Sequence, residues 1–201
     1  MAIPLPKLRE LKEAVIALIR GPYTDKFPAA EARVARNYRG FPDYHVDDCM
    51  GCGACFRVCP PGAIDMTDDA DARMRTLLIN IDRCITCGQC QANCPTKKGI
   101  LNGREYDMTT TVRADLQQRK VEKELIVCEA CNEIVGPREQ ILWVARRLGP
   151  LAYANPTLML TALRDMGAVP EPRTDIEKGL RRGDKVRILC PRCRQEVSFL
   201  A

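Results

Sequence analysis

The chain has 201 residues, of which 28% are charged and 5% aromatic, and its formal net charge is +5. This composition predicts a soluble protein of one or two domains. The sequence has no apolar run of about 18 residues and no secretory signal, so we expect neither a membrane-spanning helix nor export. Its twelve cysteines should then lie in a reducing compartment, where metal binding is commoner than disulfide formation. Because metal-bound thiolates add negative charge, the value of +5 is not evidence for nucleic-acid binding.

The charges and the cysteines divide the chain into four parts. Residues 1–40 have a net charge of +4, residues 41–101 of −2, residues 102–124 of zero and residues 125–201 of +3. The cysteines fall only in the second and fourth parts. We predict an N-terminal arm, a cysteine-rich domain, a polar connector and a second metal-bearing domain.

The N-terminal arm begins with an amphipathic pattern from Pro4 to Arg20, and Gly21-Pro22 should end this helix. Its apolar residues recur every three or four positions: Leu5, Leu8, Leu11, Val15, Leu18 and Ile19. One interpretation is a helix that packs on the rest of the protein. The other is a docking helix that lies on a membrane surface or in the groove of a larger partner.

The cysteine-rich domain contains an internal repeat with an offset of 35 residues. The pattern C-x2-C-x2-C-x3-C-P occurs twice, with Pro60 and Pro95 as its last residues. We call the first cysteine run Cys49, Cys52, Cys55 and Cys59, and the second cysteine run Cys84, Cys87, Cys90 and Cys94. This spacing is typical of bacterial ferredoxins with two 4Fe–4S clusters. Zinc is a poor alternative, because zinc sites seldom use three cysteines at successive x2 spacings.

The fourth cysteine of each run is expected to bind the cluster of the other run. The proline that follows it fixes φ and redirects the chain away from its own loop. We therefore assign the first cluster to Cys49, Cys52, Cys55 and Cys94. The second cluster is assigned to Cys84, Cys87, Cys90 and Cys59.

Two short strands should link the runs, at residues 63–66 and 76–81, around an acidic turn at residues 68–71. Five apolar residues are expected to shield the clusters from water: Ile64, Leu78, Ile79, Ile85 and Ile100. His45 is the only histidine and precedes Cys49 by four residues. Since the cysteine sets are already complete, we interpret His45 as a surface residue or as a neighbour of the ligands.

The last part of the chain carries two further C-x2-C pairs. Their cysteines, which we call the C-terminal cysteine set, are Cys128, Cys131, Cys190 and Cys193. Strand-like runs flank each pair, at residues 124–127, 133–135, 186–189 and 196–199. A C-x2-C turn between two strands, occurring twice, is typical of a zinc ribbon. Two helical patterns, at residues 137–148 and 156–166, lie between the pairs.

Four cysteine sulfurs suit a structural zinc ion, because no coordination position stays open for catalysis. A rubredoxin-type iron fits the same donors, and unligated cysteines or a site completed by another chain are further alternatives. Six basic residues surround the second pair: Arg181, Arg182, Lys185, Arg187, Arg192 and Arg194. Zinc ribbons sometimes contact nucleic acid, but the aromatic residues needed for base stacking are absent here, so we expect no nucleic-acid partner.

Residues 1–116 resemble the two-cluster ferredoxin subunit shared by respiratory complex I and the group 4 membrane-bound NiFe hydrogenases, including formate hydrogenlyase. The resemblance rests on the cysteine runs and on three further stretches, with the hydrogenase branch more similar. These stretches are Gly21-Pro22-Tyr23-Thr24 with Phe27-Pro28, Tyr38-Arg39-Gly40-Phe41-Pro42, and Glu105-Tyr106-Asp107-Met108 to Leu116.

The resemblance implies an electron-transfer subunit that is not itself catalytic. Its two clusters would pass single electrons to or from the small cluster-bearing subunit beside a NiFe or quinone site. The N-terminal segment would help to dock it, as a peripheral subunit, on the membrane arm at the cytoplasmic side of the cell membrane. Residues 117–201 are not part of the core family.

Together these observations predict an α+β protein. It consists of an amphipathic helix and docking arm (1–40), a 2×4Fe–4S ferredoxin domain (41–101), a connector (102–124) and a zinc-ribbon-like domain with inserted helices (125–201). Two other functions remain as alternatives: a free diffusible ferredoxin, and a redox-sensing regulator whose zinc ribbon contacts nucleic acid. The sequence has no nucleophile–base pair and no glycine-rich phosphate loop that would suggest catalysis.

Overall fold

The computed structural model describes residues 7–21, 24–113, 116, 118–170 and 179–199. The chain forms two compact units, one up to Tyr38 and the other from Arg39 onward. The predicted helix start at Pro4, the apolar residue Leu5 and the Pro22-Tyr23 part of the resemblance lie outside the described residues. None of the helices in the described ranges is long and apolar enough to cross a bilayer.

The first unit contains the predicted amphipathic helix, α1, from Leu8 to Arg20. Glu10 accepts a hydrogen bond from the Lys7 backbone N–H at 3.0 Å, which caps the start of the helix. Gly21 ends it with a φ of 83°, and its N–H donates to the Ala17 carbonyl. Large apolar side chains of α1 are exposed: Leu8, Leu11, Val15, Leu18 and Ile19.

The two halves of the cysteine repeat fold alike in the second unit. A short helix follows the second cysteine of each run, α2 at Ala54–Arg57 and α3 at Gln89–Ala92. Strand β1, Pro42–Tyr44, precedes the first run and pairs antiparallel with β4, Ile100–Asn102, which follows the second run. This pairing brings the segment before the first run next to the segment after the second run.

A four-stranded antiparallel sheet connects the ferredoxin part to the C-terminal part. Its strands are β2 (Ile64–Asp69), β3 (Met74–Ile79), β5 (Arg119–Val127) and β6 (Ile134–Pro137), in that order across the sheet. The first two strands are those predicted between the runs. Strand β5 begins inside the predicted connector, residues 102–124, and pairs with every residue of β3. The sheet is therefore continuous across that connector.

The residues of β3 alternate between the two faces of the sheet, and this corrects one prediction. Leu77 and Ile79 are buried, whereas Leu78, which we expected beside the clusters, points to the other face and is only half-buried. Ile64 and Ile100 are buried as expected. Ile85 is 61% exposed, so it shields its site only in part.

The C-terminal part contains the two predicted helices. Helix α4 spans Arg138–Leu148, and α5 spans Pro156–Asp165, where the Asn155 side chain accepts hydrogen bonds from the Thr157 and Leu158 backbone N–H groups. The first C-x2-C pair lies between β5 and β6, as expected for one half of a ribbon.

The prediction of two strands around the second C-x2-C pair is wrong. No strand forms at residues 186–189 or 196–199; a short 3₁₀ turn at Arg182–Lys185 and helix α6 at Pro191–Phe199 flank the second pair instead. Pro191 suits the first turn of a helix. Cys193 and Val197, four residues apart, are both buried on one face of α6. A strand would have buried Val197 together with Phe199, which is 79% exposed.

Candidate metal centres

A first cavity, of about 310 Å³, has four cysteines in its wall. Three come from the first cysteine run, and the fourth, Cys94, comes from the second run, where it follows the end of α3. The rest of the wall is mainly apolar and includes Tyr44, Leu77 and Ile100. We call this cavity the first site: Cys49, Cys52, Cys55 and Cys94.

A second cavity, of about 340 Å³, repeats this arrangement in the other half. Three cysteines of the second run share it with Cys59 of the first run. Ile64, Ile79 and Ile85 form part of its wall. We call this cavity the second site: Cys59, Cys84, Cys87 and Cys90.

The donor chemistry of both sites fits a 4Fe–4S cluster, which is held by four cysteine thiolates. All twelve cysteines lie in the described residues and none forms a disulfide. The loops need backbone conformations that favour glycine: Gly53 and Gly88, directly before α2 and α3, have φ values of 71° and 77°. A side chain at Gly53 would also lie 2.7 Å from the Met66 sulfur.

Burial raises the pKa of four thiols that face these cavities, because the interior disfavours thiolate charge: Cys49, Cys55, Cys84 and Cys90. It raises the pKa of Cys55 to about 12 and that of Cys90 to about 11. The Tyr44 hydroxyl lies 3.8 Å from the Cys55 sulfur and favours its thiolate. Burial also acts on Cys94, but hydrogen bonds from Thr96, whose Oγ1 is 3.3 Å away, and from nearby backbone groups outweigh it and lower the Cys94 pKa. A bound cationic centre offsets the cost of burying four thiolates.

Two basic side chains hold the loop that carries Cys49. Arg75 of β3 donates to the Gly51 carbonyl at 2.9 Å, and Lys123 of β5 donates to the Val46 carbonyl at 2.6 Å. Burial is the main influence on the Cys49 thiol and raises its pKa, while the Lys123 charge opposes this rise. Neither basic residue was predicted as part of a site.

The C-terminal cysteine set forms a third site. Its four sulfur atoms all lie within 4.8 Å of one another. Cys128, Cys190 and Cys193 are buried, whereas Cys131 is exposed. Burial disfavours the Cys128 thiolate, but backbone hydrogen bonds, from Cys190 first, outweigh it and lower the Cys128 pKa to about 7. Four converging sulfurs with no other ligand group suit zinc or a single iron.

A buried charge network braces the third site. Glu129, which lies between Cys128 and Cys131, pairs with Arg164 of α5 at 2.8 Å and with Arg187 at 3.1 Å. Arg187 also contacts Asp184 at 3.3 Å. The sequence did not reveal this network, because Glu129 and its partners are 35 and 58 residues apart and share no local pattern.

The basic residues around the second C-x2-C pair are partly used within the fold. Arg187 is engaged with Glu129, and Arg194 donates to the Thr157 hydroxyl and to the Arg187 carbonyl, each at 2.9 Å. His45 is exposed and lies 3.6 Å from Asp48, which agrees with its interpretation as a surface residue.

Residues 48–98 match the family model of a 4Fe-4S dicluster domain. The chain contains a 4Fe–4S ferredoxin domain. This match confirms the iron–sulfur chemistry predicted from the two cysteine runs, and the helices and antiparallel strands agree with the predicted α+β class.

Two proteins of known name are similar to part of this chain. Formate hydrogenlyase subunit 6 of Escherichia coli (strain K12) is 35% identical over 49 residues, which are 24% of this chain and 27% of that protein. The match thus spans about a quarter of that relative's length. A chain in the structure of the membrane-bound sulfane sulfur reductase, an archaeal respiratory membrane complex, is 28% identical; the match covers 57% of this chain and 62% of that chain, with a TM-score of 0.41.

Proposed function

We propose that this chain relays single electrons through two 4Fe–4S clusters, one at the first site and one at the second site. The observation that carries the proposal is the grouping of the cysteines, in which each cavity is lined by three cysteines of one run and the fourth cysteine of the other. Two sites that exchange ligands are held side by side, and this suits electron transfer between them.

The residues around the two sites have distinct tasks. When bound, each cluster supplies a one-electron couple. The cysteine thiolates hold it, and the Tyr44 hydroxyl is placed to donate to the Cys55 sulfur. Buried Ile64, Leu77, Ile79 and Ile100 exclude water from the cavities, which lowers the local dielectric and influences the potential.

At the third site we propose one structural zinc ion. Cysteine fills every coordination position there, so the metal would stabilise the C-terminal fold rather than bind a substrate. A rubredoxin-type iron is the alternative that the same four sulfurs allow.

Metal analysis of the anaerobically purified chain tests these assignments. We expect about eight irons, eight acid-labile sulfides and one zinc per chain. About four irons would contradict the two-cluster proposal. A ninth iron in place of zinc would establish the rubredoxin-type site, and no metal beyond the clusters would show that the third site is unligated.

We further propose that the chain is a peripheral subunit on the cytoplasmic side of a membrane-associated energy-converting complex, such as a group 4 NiFe hydrogenase or a complex I-like oxidoreductase. The similarity to formate hydrogenlyase subunit 6 supports this proposal. The exposed apolar side chains of α1 support it as well, because burying each would contribute roughly 1.5–3 kcal/mol. The net +4 of residues 1–40 suits an anionic membrane surface. The expected neighbour is the small cluster-bearing subunit of the complex.

Deleting residues 1–20 tests this placement. We expect a chain that still binds its clusters but no longer co-purifies with its complex, since the cluster ligands lie elsewhere while the docking surface is gone. Glu13→Gln, a change at an exposed residue on the polar side of α1, is the control and should assemble normally. Normal co-purification of the truncated chain would contradict the proposal, and a full-length chain that is always monomeric would favour the free ferredoxin.

A further inference from the structure

Lys123 occupies a position where a lysine is unusual. Strand β5 alternates between buried and exposed residues, and Lys123 lies on the buried side between Val121 and Leu125. Its side chain is 5% exposed. A buried ammonium group is costly unless it is paired and hydrogen-bonded. Lys123 meets both conditions, with Nζ 2.6 Å from the Val46 carbonyl and 2.6 Å from Oε2 of Glu139 on α4.

These contacts place Lys123 against the loop of the first site. Val46 and Gly51 lie on either side of Cys49 in the sequence, and Lys123 contacts both. A Cβ atom at Gly51 would lie 2.9 Å from the Lys123 Cβ, so the lysine stem packs directly on the backbone of that loop. The lysine is therefore a buried charge beside one cluster-binding loop.

Arg75 and Lys123 hold this loop together but belong to different parts of the chain. The two residues are directly opposite each other in the pairing of β3 with β5. Arg75 is supplied by the ferredoxin strand and forms a two-point ion pair with Asp68 at 2.6 and 2.7 Å. Lys123 on β5 and Glu139 on α4 belong to the part of the chain that follows the ferredoxin domain.

The loop of the second site is contacted differently. Arg39 donates to the Cys87 carbonyl at 2.9 Å, but Arg39 is exposed, so solvent and salt screen its charge. The two halves of the repeat thus have the same cysteine spacing but unequal electrostatic surroundings. The buried cation is at the first site.

We propose that Lys123 is a positioning residue for the first site that holds the Cys49 loop and raises the reduction potential of the 4Fe–4S cluster bound there. This inference rests on the proposed function. Reduction adds one negative charge to the cluster, and a nearby buried positive charge stabilises that charge more than a solvent-exposed one does. Glu139 weakens the effect, because its carboxylate offsets part of the lysine charge. The C-terminal region thereby makes the potentials of the two sites unequal.

Voltammetry of the full-length, cluster-loaded chain tests the proposal through two substitutions of opposite sign. Lys123→Met should lower the potential of the first-site cluster, and Glu139→Gln should raise it, while the second-site potential stays unchanged. Lys120→Met is the matched control, since Lys120 lies on the same strand with its side chain 64% exposed, and it should move neither potential. Hyperfine-shifted NMR signals of the cysteine β-protons assign each potential to its site.

Opposite shifts distinguish a charge effect from simple loosening of the loop, which would move both variants in the same direction. Equal shifts at both sites, shifts of the same sign in the two variants, or no shift beyond that of Lys120→Met would overturn the inference. If Lys123→Met fails to bind clusters, the potential shift of Glu139→Gln alone tests the inference. Glu139 is half-exposed, so replacing its carboxylate leaves the core packing intact. Wild-type protein without two clusters would instead overturn the proposed function and, with it, this inference.

Discussion

Cys59 and Cys94 end their runs but line the cavity of the opposite run. Cys59 follows α2, where the chain turns: the Gly62 N–H donates to the Cys59 carbonyl and the Ala63 N–H lies 3.2 Å from the Cys59 sulfur. Cys94 lies near Thr96, whose hydroxyl is 3.3 Å from the sulfur. These local contacts orient each fourth cysteine away from its own loop.

Cys59→Ser should therefore damage the second site and spare the first. The substitution removes a thiolate from the set completed by Cys84, Cys87 and Cys90, and the remaining three sulfurs hold a cluster less firmly. Iron analysis with cysteine-resolved NMR measures which cluster is lost. Cys94→Ser is the reciprocal variant and should damage the first site; loss of the cluster of its own run in either variant would contradict the crossed assignment.

The cysteines were predictable from the sequence because cluster spacing is a local pattern, whereas the residues around them were not. Leu77 was missed although β3 has a period of two, because Leu77 and Leu78 are chemically alike and only the pairing register separates their faces. Lys123 and Glu129 were missed for another reason. Each acquires its role from partners far away along the chain.

At the scale of elements, the helical periods of α1, α4 and α5 could be recognised in the sequence, but the secondary structure around the second C-x2-C pair could not. The run that ends in Glu196-Val197-Ser198-Phe199 alternates like a strand, yet it folds as α6. Packing decides the outcome: Cys193 and Val197 join Cys128 and Leu189 in one small core, while Phe199 stays exposed. A strand would have placed Phe199 on the same face as Val197, whereas a helix does not. The strand-like pattern of this segment was thus overridden by tertiary packing around the four sulfurs of the third site.

Substitutions on α6 distinguish this helix from the strand that the sequence suggested. Val197 is 0% exposed, so Val197→Ala should destabilise the C-terminal part by roughly 1–3 kcal/mol through lost contacts and a cavity. Phe199→Ala should cost much less, because Phe199 is exposed. Urea unfolding of the metal-loaded protein measures both values. Similar losses in the two variants would indicate a strand with both side chains in the core.

Across the whole molecule, the ferredoxin part and the C-terminal part share one sheet but have separate cores. Val121 of β5 packs with the residues that surround the two cluster sites, whereas α6 and the second C-x2-C pair form the other core. Strand β5 thus belongs to the cluster-binding fold although it lies outside residues 48–98. The long connection after β4 hid this relation from the sequence, since strand pairing over such a distance leaves no periodic signal.

Two variants separate the contribution of the third site from that of β5. Cys190→Ser should release the metal proposed for the third site and unfold the region around α6, because a structural zinc ion contributes folding free energy, about 10–16 kcal/mol in small zinc-finger peptides. Iron content should stay normal, since β5 remains paired with β3. Metal analysis and the visible absorption of the clusters measure both effects.

Ending the chain after Gln118 should be more damaging to the clusters than Cys190→Ser. This truncation removes β5, so β3 becomes an open sheet edge that invites aggregation, and the cluster core loses Val121. The Cys49 loop also loses its contact with Lys123. We expect faster iron loss in air and precipitation on concentration, compared at equal protein concentration with Cys190→Ser. If the truncated chain retains iron as well as that variant does, the ferredoxin domain folds without β5, and the C-terminal region stabilises only itself.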